Sequence, residues 1–376
     1  MVRRLIGLSL LAGCFASASL GVRAGSMGPF GVNYNWDSEH SNVCPITETL
    51  TAFMPNYPTH RSTVQSQLAQ MKANGIGSIR AFVEWGDDSA GAQRGDFPGA
   101  LILPPTTTVP VQFIQNVKLF VQDVAAAGIK NVTLSLGGAG SYRADICGND
   151  VDGLVIPTEI SGLDQLLNLV VVPTYTPKPV IQIDLGNEIA PSDYEAACTF
   201  DQRVDFIRQI WTHYTSTSYG AQGAGATFSS LLDDSTDFHI AANRLENLIE
   251  AIGQTSRPQP TWFEVHTYGS RSAVVNMLRG NYQIYSDHGF LSNQAHPKKT
   301  VIGEMFYQDT DTAMGIKDYK TIYDGYNGGY IGLAPVIEWP LQQPVIGCIH
   351  AVNVPPPYTA TVYSNILACV PPPCDN

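Results

Sequence analysis

Segments typical of strands and of helices alternate along almost the whole chain, and this alternation limits the possible folds more than any other feature. Short apolar segments predict the strands, and apolar residues at helical spacing predict the helices. The predicted strands are 30–34, 78–83, 131–136, 180–185, 238–242, 262–265, 300–303 and 331–337. The predicted helices are 63–74, 111–127, 160–169, 199–214, 245–252, 272–278, 319–326 and 358–367. Eight strand–helix units in 376 residues predict an α/β protein with a single (β/α)8 TIM barrel.

A doubly wound open sheet is the alternative fold for such an alternation. That fold carries a glycine-rich phosphate turn, and the glycine cluster at 137–140 lacks its spacing. No change of composition, linker or internal repeat marks a second domain. We therefore expect one barrel domain over residues 25–376, with a short C-terminal tail that contains proline and cysteine.

The N-terminal segment, residues 1–24, has the pattern of a signal peptide. Two arginines precede an apolar stretch over 5–22, and small residues end at a cleavage site after Ala24. This pattern predicts secretion to the extracellular space or the periplasm. The segment Leu11-Ala12-Gly13-Cys14 also resembles a bacterial lipobox, and its use would instead make Cys14 a lipid-anchored N-terminus. No later segment is long and apolar enough to predict a membrane span.

Composition and charge exclude several classes of partner. The formal net charge is −12 and there is no basic run, which argues against nucleic acid and anionic membrane surfaces. The chain contains neither a Cys-x-x-Cys nor a His-Glu-x-x-His motif, so no metal site is predicted. We expect a monomer that needs no cofactor.

An even number of cysteines follows the predicted signal peptide, which in an exported chain indicates disulfides. In a closed barrel the loops after the first and eighth strands are neighbours, as are those after the third and fourth. The predicted pairs are Cys44–Cys348, Cys147–Cys198 and Cys369–Cys374.

Two predicted strands end in a glutamate, and these residues carry the functional argument. Gly186, Asn187 and Glu188 follow the fourth strand, and the seventh ends at Gly303 and Glu304. Asn-Glu alone is typical of a turn. In a barrel, however, the C-terminal strand ends form one mouth, so the two carboxyl groups can converge. One carboxyl can protonate a leaving oxygen and the amide can hold a ring hydroxyl, which predicts chemistry on a sugar.

Further residues are predicted at the same mouth. They are Arg80 in the second strand, His266 and Tyr268 after the sixth, Trp339 after the eighth, and Trp36 and Trp85 just beyond other strand ends. Flat tryptophan rings there could stack on sugar faces, whereas Trp211 and Trp262 are interpreted as core. Arg80 could also be a structural ion pair, and His266 and Tyr268 hydrogen-bonded core residues. The competing carboxylates are Glu84, Asp184, Glu264 and Glu338.

This constellation resembles the retaining glycoside hydrolases of clan A, especially the cellulase and mannanase branch. The resemblance implies that Glu188 is the acid/base and Glu304 the nucleophile. It also implies binding roles: Asn187 holds the hydroxyl beside the anomeric carbon, Tyr268 and Arg80 orient Glu304, His266 lines the site, and Trp339 is the floor beneath the sugar being cleaved. Gly137-Gly138 stands where the cellulase-like branch usually has a histidine, so the resemblance extends to the clan and not to a family.

These roles carry an expectation about protonation. A nucleophile must be ionised, so we expect Arg80 to lower the pKa of Glu304. A general acid must hold a proton, so we expect burial and the neighbouring carboxylate to raise the pKa of Glu188.

The sequence thus predicts a secreted retaining glycoside hydrolase that acts by double displacement on β-linked polysaccharide or oligosaccharide, as an endo-β-glycanase. Two alternatives remain open. One is a carbohydrate-binding barrel without catalysis, and the other is an exo-acting β-glycosidase of the same clan.

Overall fold

A computed structural model of the chain describes residues 31–34, 54, 57–73, 76–83, 85–87, 101–103, 108–136, 155–305, 332–338, 342–345 and 348–351. The predicted signal peptide, the lipobox cysteine Cys14, the cysteine-containing tail, Trp36, Glu84 and Trp339 lie outside the described residues. The backbone is described at Trp85 and Glu338, but their side chains are not.

Parallel strands form the centre of the molecule. In chain order the strands are β1 (Gly31–Asn33), β2 (Ser78–Val83), β3 (Trp85–Asp87), β4 (Leu101–Leu103), β5 (Asn131–Leu136), β6 (Val180–Asp184), β7 (Ala226–Thr227), β8 (Ser229–Leu231), β9 (Trp262–Thr267), β10 (Lys299–Met305), β11 (Gly332–Glu338), β12 (Gln342–Val345) and β13 (Cys348–Ala351). β3 pairs with β4 and β12 with β13, and these two small sheets lie outside the central one.

The central sheet closes on itself. Its strand order is β7-β6-β5-β2-β1-β11-β10-β9-β8, so β7 and β8 stand at its two ends. Only Phe228 separates these two segments in the chain, so they form one strand that pairs with β6 on one side and β9 on the other. The result is a ring of eight parallel strands. The predicted (β/α)8 barrel is therefore confirmed.

The predicted fifth strand is wrong. Residues 238–242 contain the short helix Phe238–Ala241, which begins where the Asp237 carboxylate accepts a hydrogen bond from the backbone of His239 at 3.0 Å. The true fifth strand is the β7–β8 segment at 226–231. It lacks a continuous apolar run because the buried hydroxyl residues Thr227 and Ser229 alternate with Ala226 and Phe228.

Helices cover the outside of the barrel. They are α1 (Tyr57–Ala73), α2 (Val111–Ala126), α3 (Val155–Leu166), α4 (Ala197–Ser216), α5 (Phe238–Ala241), α6 (Asn243–Gly253) and α7 (Arg271–Asp287), and α3 continues into a π-helical turn over Leu167–Val171. Their apolar faces bury large side chains against the strands, including Phe120, Trp211 and Tyr285. Trp211 and Trp262 are both core residues, as predicted. Of the described helices, none combines the length and apolar character that a membrane crossing requires.

Candidate active site

Arg80 occupies the centre of the barrel, where it meets three buried carboxyl groups. Its side chain is completely buried. Nη1 donates to Oε1 of Glu304 at 2.7 Å, Nη2 donates to Oδ2 of Asp184 at 2.8 Å, and Nε forms an ion pair with Oε1 of Glu264 at 2.7 Å. One guanidinium therefore neutralises part of the negative charge of the carboxylates on three strands, β6, β9 and β10. Its planar fork of donors suits this arrangement, which a lysine could not reproduce.

Uncharged acceptors complete the surroundings of the guanidinium. Arg80 Nη1 also donates to Oδ1 of Asn33 at 3.0 Å, and Nη2 donates to Oγ of Ser135 at 2.9 Å and to Oδ1 of Asn187 at 2.7 Å. The last bond fixes the side-chain amide of Asn187, so that its NH2 group is directed away from the guanidinium. Arg80 thus orients the amide predicted to hold a sugar hydroxyl.

The turn after β6 sets the direction of Glu188. Glu188 has a positive φ of 52°, which is uncommon for a residue other than glycine, and such strained residues cluster at active sites and ligand-binding sites. Ser229 holds this conformation, because its Oγ accepts a hydrogen bond from the Glu188 backbone at 2.7 Å. Its own backbone donates to Asp184 Oδ1 at 2.9 Å.

The following loop is fastened to α6. Asp193 exchanges hydrogen bonds with Asn243, and its Oδ1 accepts one from Asn247 at 3.0 Å. Arg244 donates to the Ala190 carbonyl at 3.1 Å and to Glu195 at 2.7 Å. These bonds restrain the strained turn, because a left-handed backbone persists only where its surroundings hold it.

His266 stands between the two predicted catalytic carboxyl groups. Nδ1 lies 2.8 Å from Oε1 of Glu188 and 3.6 Å from Oε1 of Glu304. Nε2 lies 3.4 Å from Oε1 of Glu264. Tyr268, two residues further on, donates its hydroxyl hydrogen bond to Oε2 of Glu304. His266 and Tyr268 are therefore part of the polar cluster rather than ordinary core residues.

A β-bulge at Gly303 brings Glu304 into this cluster. Ile302 pairs with Val265, whereas Glu304 pairs with His266, so β10 advances two residues while β9 advances one. Without the extra residue Glu304 would stand opposite Thr267 and point to the other face of the sheet. Bulges commonly redirect a side chain beside an active site.

The carboxyl groups of Glu188 and Glu304 are close to each other and differ in exposure. One oxygen of each, together with a ring nitrogen of His266, lies within a group whose members are at most 4.8 Å apart. The side chain of Glu188 is 29% exposed, whereas that of Glu304 is 5% exposed. The pair thus has one member that solvent reaches and one that is held inside.

The pKa directions in the ligand-free site are the reverse of those expected. Burial tends to raise the pKa of Glu188, but the hydrogen bond and charge of His266 outweigh it, so this pKa lies below its usual value. For Glu304 burial, reinforced by the charge of Glu188, outweighs His266 and Arg80, so this pKa is raised. The expectation considered Arg80 for Glu304, and burial with the neighbouring carboxylate for Glu188, but it did not include the imidazolium beside Glu188.

His266 itself is cationic. Burial alone would lower its pKa, but the charge of Glu304 and the hydrogen bonds to Glu188 and Glu264 raise the pKa of His266 to about 10. Glu188, His266 and Glu304 present three atoms that could bind a metal ion, but the proton on His266 already occupies the space between the two carboxylates. A cation there would have to displace that proton and compete with Arg80 for Glu304. The absence of a metal requirement stays a prediction.

The raised pKa of His266 makes the stability of the fold depend on pH. The folded protein holds this proton more tightly than the unfolded chain, whose histidines titrate near about 6.5. The stabilisation is complete below that pH and is lost as the pH rises through about 10. We expect the free energy of unfolding in urea to fall over this range more steeply in the wild type than in His266→Gln. His296→Gln, at an exposed site, should keep the wild-type slope. Parallel curves for the wild type and His266→Gln would contradict the assignment.

Solved structures of glycoside hydrolases have the same fold. GH5_18 from Bifidobacterium longum has a TM-score of 0.56 at 12% identity, and the match covers 93% of this chain and 81% of that one. The endo-1,4-β-D-mannanase of Thermotoga petrophila has a TM-score of 0.55 at 11% identity, covering 90% and 99%. A GH5-4 broad specificity endoglucanase from Clostridium longisporum has 0.53 at 12%, covering 90% and 97%. The chain has the fold of these enzymes. No family model and no curated protein matches its sequence.

The structure brings together six of the nine residues predicted for the site. Arg80, Asn187, Glu188, His266, Tyr268 and Glu304 form one connected cluster. Nothing is described of the side chains of Trp36, Trp85 and Trp339, so their roles stay predictions.

Two of the competing carboxylates, Asp184 and Glu264, are also in the cluster, but both are fully buried behind Arg80. Sequence reasoning did not identify Asn33, Ser135 or Ser229 as members of the cluster. The available signal was the strand period of two, which places Ser135 on the same face of β5 as Thr133.

Proposed function

We propose that the chain is a retaining β-glycanase that acts by double displacement. Glu304 attacks the anomeric carbon while Glu188 gives a proton to the departing oxygen, and Glu188 then takes a proton from the water that releases the sugar. The observation that carries the proposal is the approach of the two carboxyl groups to within 4.8 Å, oxygen to oxygen, beside His266. Retention requires the carboxyl groups about 5–5.5 Å apart, and inversion about 6.5–9.5 Å.

The hydrogen bond between His266 and Glu188 supports the acid role, because it gives the ionised acid a source for its proton. His266 Nδ1 lies 2.8 Å from Glu188, and its proton can pass to the carboxylate along this bond. A sugar that covers Glu188 removes its remaining contact with water, which favours the neutral carboxylic acid. Ester formation at Glu304 then removes a negative charge beside His266 and Glu188, which favours an ionised Glu188 for the second step.

The substrate class rests on the solved structures with the same fold. Two of them are a broad specificity endoglucanase and an endo-1,4-β-D-mannanase, which supports an endo-acting enzyme on a β-1,4-linked glycan. We further propose that Trp36, Trp85 and Trp339 supply stacking surfaces and that Asn187 holds the hydroxyl beside the anomeric carbon. No nucleic acid or membrane-spanning segment enters this function, and we propose a monomer.

Export is part of the proposal. Removal of residues 1–24, or lipidation at Cys14, would deliver the barrel to an oxidising compartment. Cys198, the second residue of α4, is disulfide-bonded, which is consistent with such a compartment. Its predicted partner Cys147 lies outside the described residues, so this pairing stays a prediction, as do the other two.

The stereochemistry of the first product tests the mechanism. We expect hydrolysis of β-1,4-glucan, mannan or xylan oligosaccharides, with the β-anomer appearing first in ¹H NMR and the α-anomer growing only by mutarotation. An α-anomer as first product would exclude Glu304 as nucleophile and indicate Glu338 instead.

The size of the early products distinguishes endo from exo action. Long early products indicate endo action, whereas monosaccharide alone would support an exo enzyme. Binding of these oligosaccharides without turnover would instead support a carbohydrate-binding barrel.

A further inference from the structure

Glu264 lies at the centre of the barrel, where its ion pairs are with Arg80 and His266. It is fully buried in β9, two residues before His266, so both side chains point inward. A single oxygen, Oε1, lies 2.7 Å from Nε of Arg80 and 3.4 Å from Nε2 of His266. Its position behind both cations excludes contact with a substrate.

Among the described residues, the carboxylate of Glu264 forms ion pairs only with Arg80 and His266. Its Oε2 is buried and accepts no hydrogen bond from any residue in the described part of the chain. Burial tends to raise the pKa of Glu264, but the charge of Arg80 and the hydrogen bond and charge of His266 outweigh it, so the group stays ionised.

The bulge residue Gly303 leaves the space that Glu264 needs. A Cβ atom on Gly303 would lie 2.5 Å from Cδ of Glu264 and closer still to Oε1. Real Cβ atoms do not approach so closely, and therefore any larger residue would displace the carboxylate. The residue that precedes the proposed nucleophile thus has its own reason to be glycine.

We propose that Glu264 is a positioning residue that fixes His266 through Nε2 and Arg80 through Nε. The first contact directs Nδ1 of His266 at Glu188, 2.8 Å away, and the second directs Nη1 of Arg80 at Glu304, 2.7 Å away. The inference rests on the proposed function, in which those glutamates are the acid/base and the nucleophile. One buried carboxylate then sets the geometry of both catalytic groups.

Glu264 also holds the proton on His266 through its negative charge. The titratable and charged groups that face His266 or Glu264 are Arg80 from β2, Asp184 from β6, Glu188 after β6 and Glu304 from β10. Of these, Glu188 and Glu304 contact Nδ1 of the ring. Glu264 faces Nε2, so removal of its negative charge should weaken proton binding at Nε2 in particular.

The test is Glu264→Gln, which keeps the shape and removes the charge. We expect kcat on an aryl β-glycoside to fall about 10- to 100-fold, as when other orienting partners are removed, with KM changed less than about 2-fold. The alkaline limb of the pH–kcat profile should move to lower pH. Glu264→Asp keeps the charge, and it should leave that limb nearly in place while still lowering kcat. Glu159→Gln, a buried glutamate on α3, should leave both parameters unchanged.

A second readout is independent of turnover. In ¹H–¹⁵N NMR we expect the His266 ring to titrate at lower pH in Glu264→Gln than in the wild type, and Gly303→Ala to shift it in the same direction. If the wild type hydrolyses no glycan, the proposed function fails, whereas the ring titration still decides the role of Glu264. An unchanged titration and pH profile, with only a smaller free energy of unfolding, would overturn the inference. Should Glu264→Gln not fold, the ring titration of Gly303→Ala is compared with that of the wild type, and Glu264→Asp serves as the control that keeps the charge.

Discussion

Glu304→Ala is expected to lower kcat on an aryl β-glycoside by about 10⁵- to 10⁶-fold, as the loss of a catalytic nucleophile does elsewhere. The substitution leaves a gap lined by Arg80 Nη1 and the Tyr268 hydroxyl, which donate to Glu304 in the wild type, beside the cationic ring of His266. A small anion is attracted to such a gap. Azide should therefore restore turnover and form the α-glycosyl azide, because it attacks from the face that Glu304 occupied.

Glu188→Ala is the matched variant for this experiment. It should retain formation of the glycosyl-enzyme with substrates whose leaving groups need no proton, and lose turnover of unactivated oligosaccharides. Azide should rescue it as well, but the product should be the β-glycosyl azide, because attack now occurs on the intermediate from the opposite face. Glu250→Ala, on the exposed face of α6, should behave as the wild type. The same azide anomer from both site variants would refute the assigned roles.

The positions of the site residues could be predicted from sequence because they depend on short-range information. Asn187, Glu188, His266 and Glu304 each follow a recognisable strand, and parallel strands deliver their C-terminal ends to one mouth. The same reasoning failed for the fifth strand. The segment 226–231 contributes hydroxyl groups to the barrel interior, so the polar site itself removed the apolar pattern that would have identified it.

Properties that depend on distances across the barrel could not be predicted. The pKa directions of Glu188 and Glu304 are set by His266, which lies 2.8 Å from one and 3.6 Å from the other. The sequence places all three residues near one mouth but does not give these separations. The bulge at Gly303 is a similar case, because glycine within a predicted strand is compatible with either a regular or a bulged pairing.

Arg80→Met is expected to destabilise the fold by about 3–5 kcal/mol or more at pH 8, because it leaves buried carboxyl groups without their shared cation. Asp184, Glu264 and Glu304 lie 2.8, 2.7 and 2.7 Å from the guanidinium. Without Arg80 all three folded pKa values should rise: those of Asp184 and Glu304 are already raised, and that of Glu264, now lowered, loses the charge that chiefly holds it down. A raised folded pKa gives stability at low pH that is lost as the pH rises, so the defect should be smaller at about pH 5 than at pH 8.

Urea unfolding at the two pH values measures this difference. Arg257→Met removes an equal charge from an exposed site, and we expect it to change the free energy of unfolding by less than about 0.5 kcal/mol. Arg80→Lys tests charge against geometry. A lysine returns one cation but not the fork that reaches Glu304 through Nη1 and Asn187 through Nη2, so it should recover part of the stability and little of the turnover. If Arg80→Met were as stable as the wild type at pH 8, the three carboxyl groups would have to be neutral in the native protein. Glu264 would then carry no charge with which to hold the proton on His266.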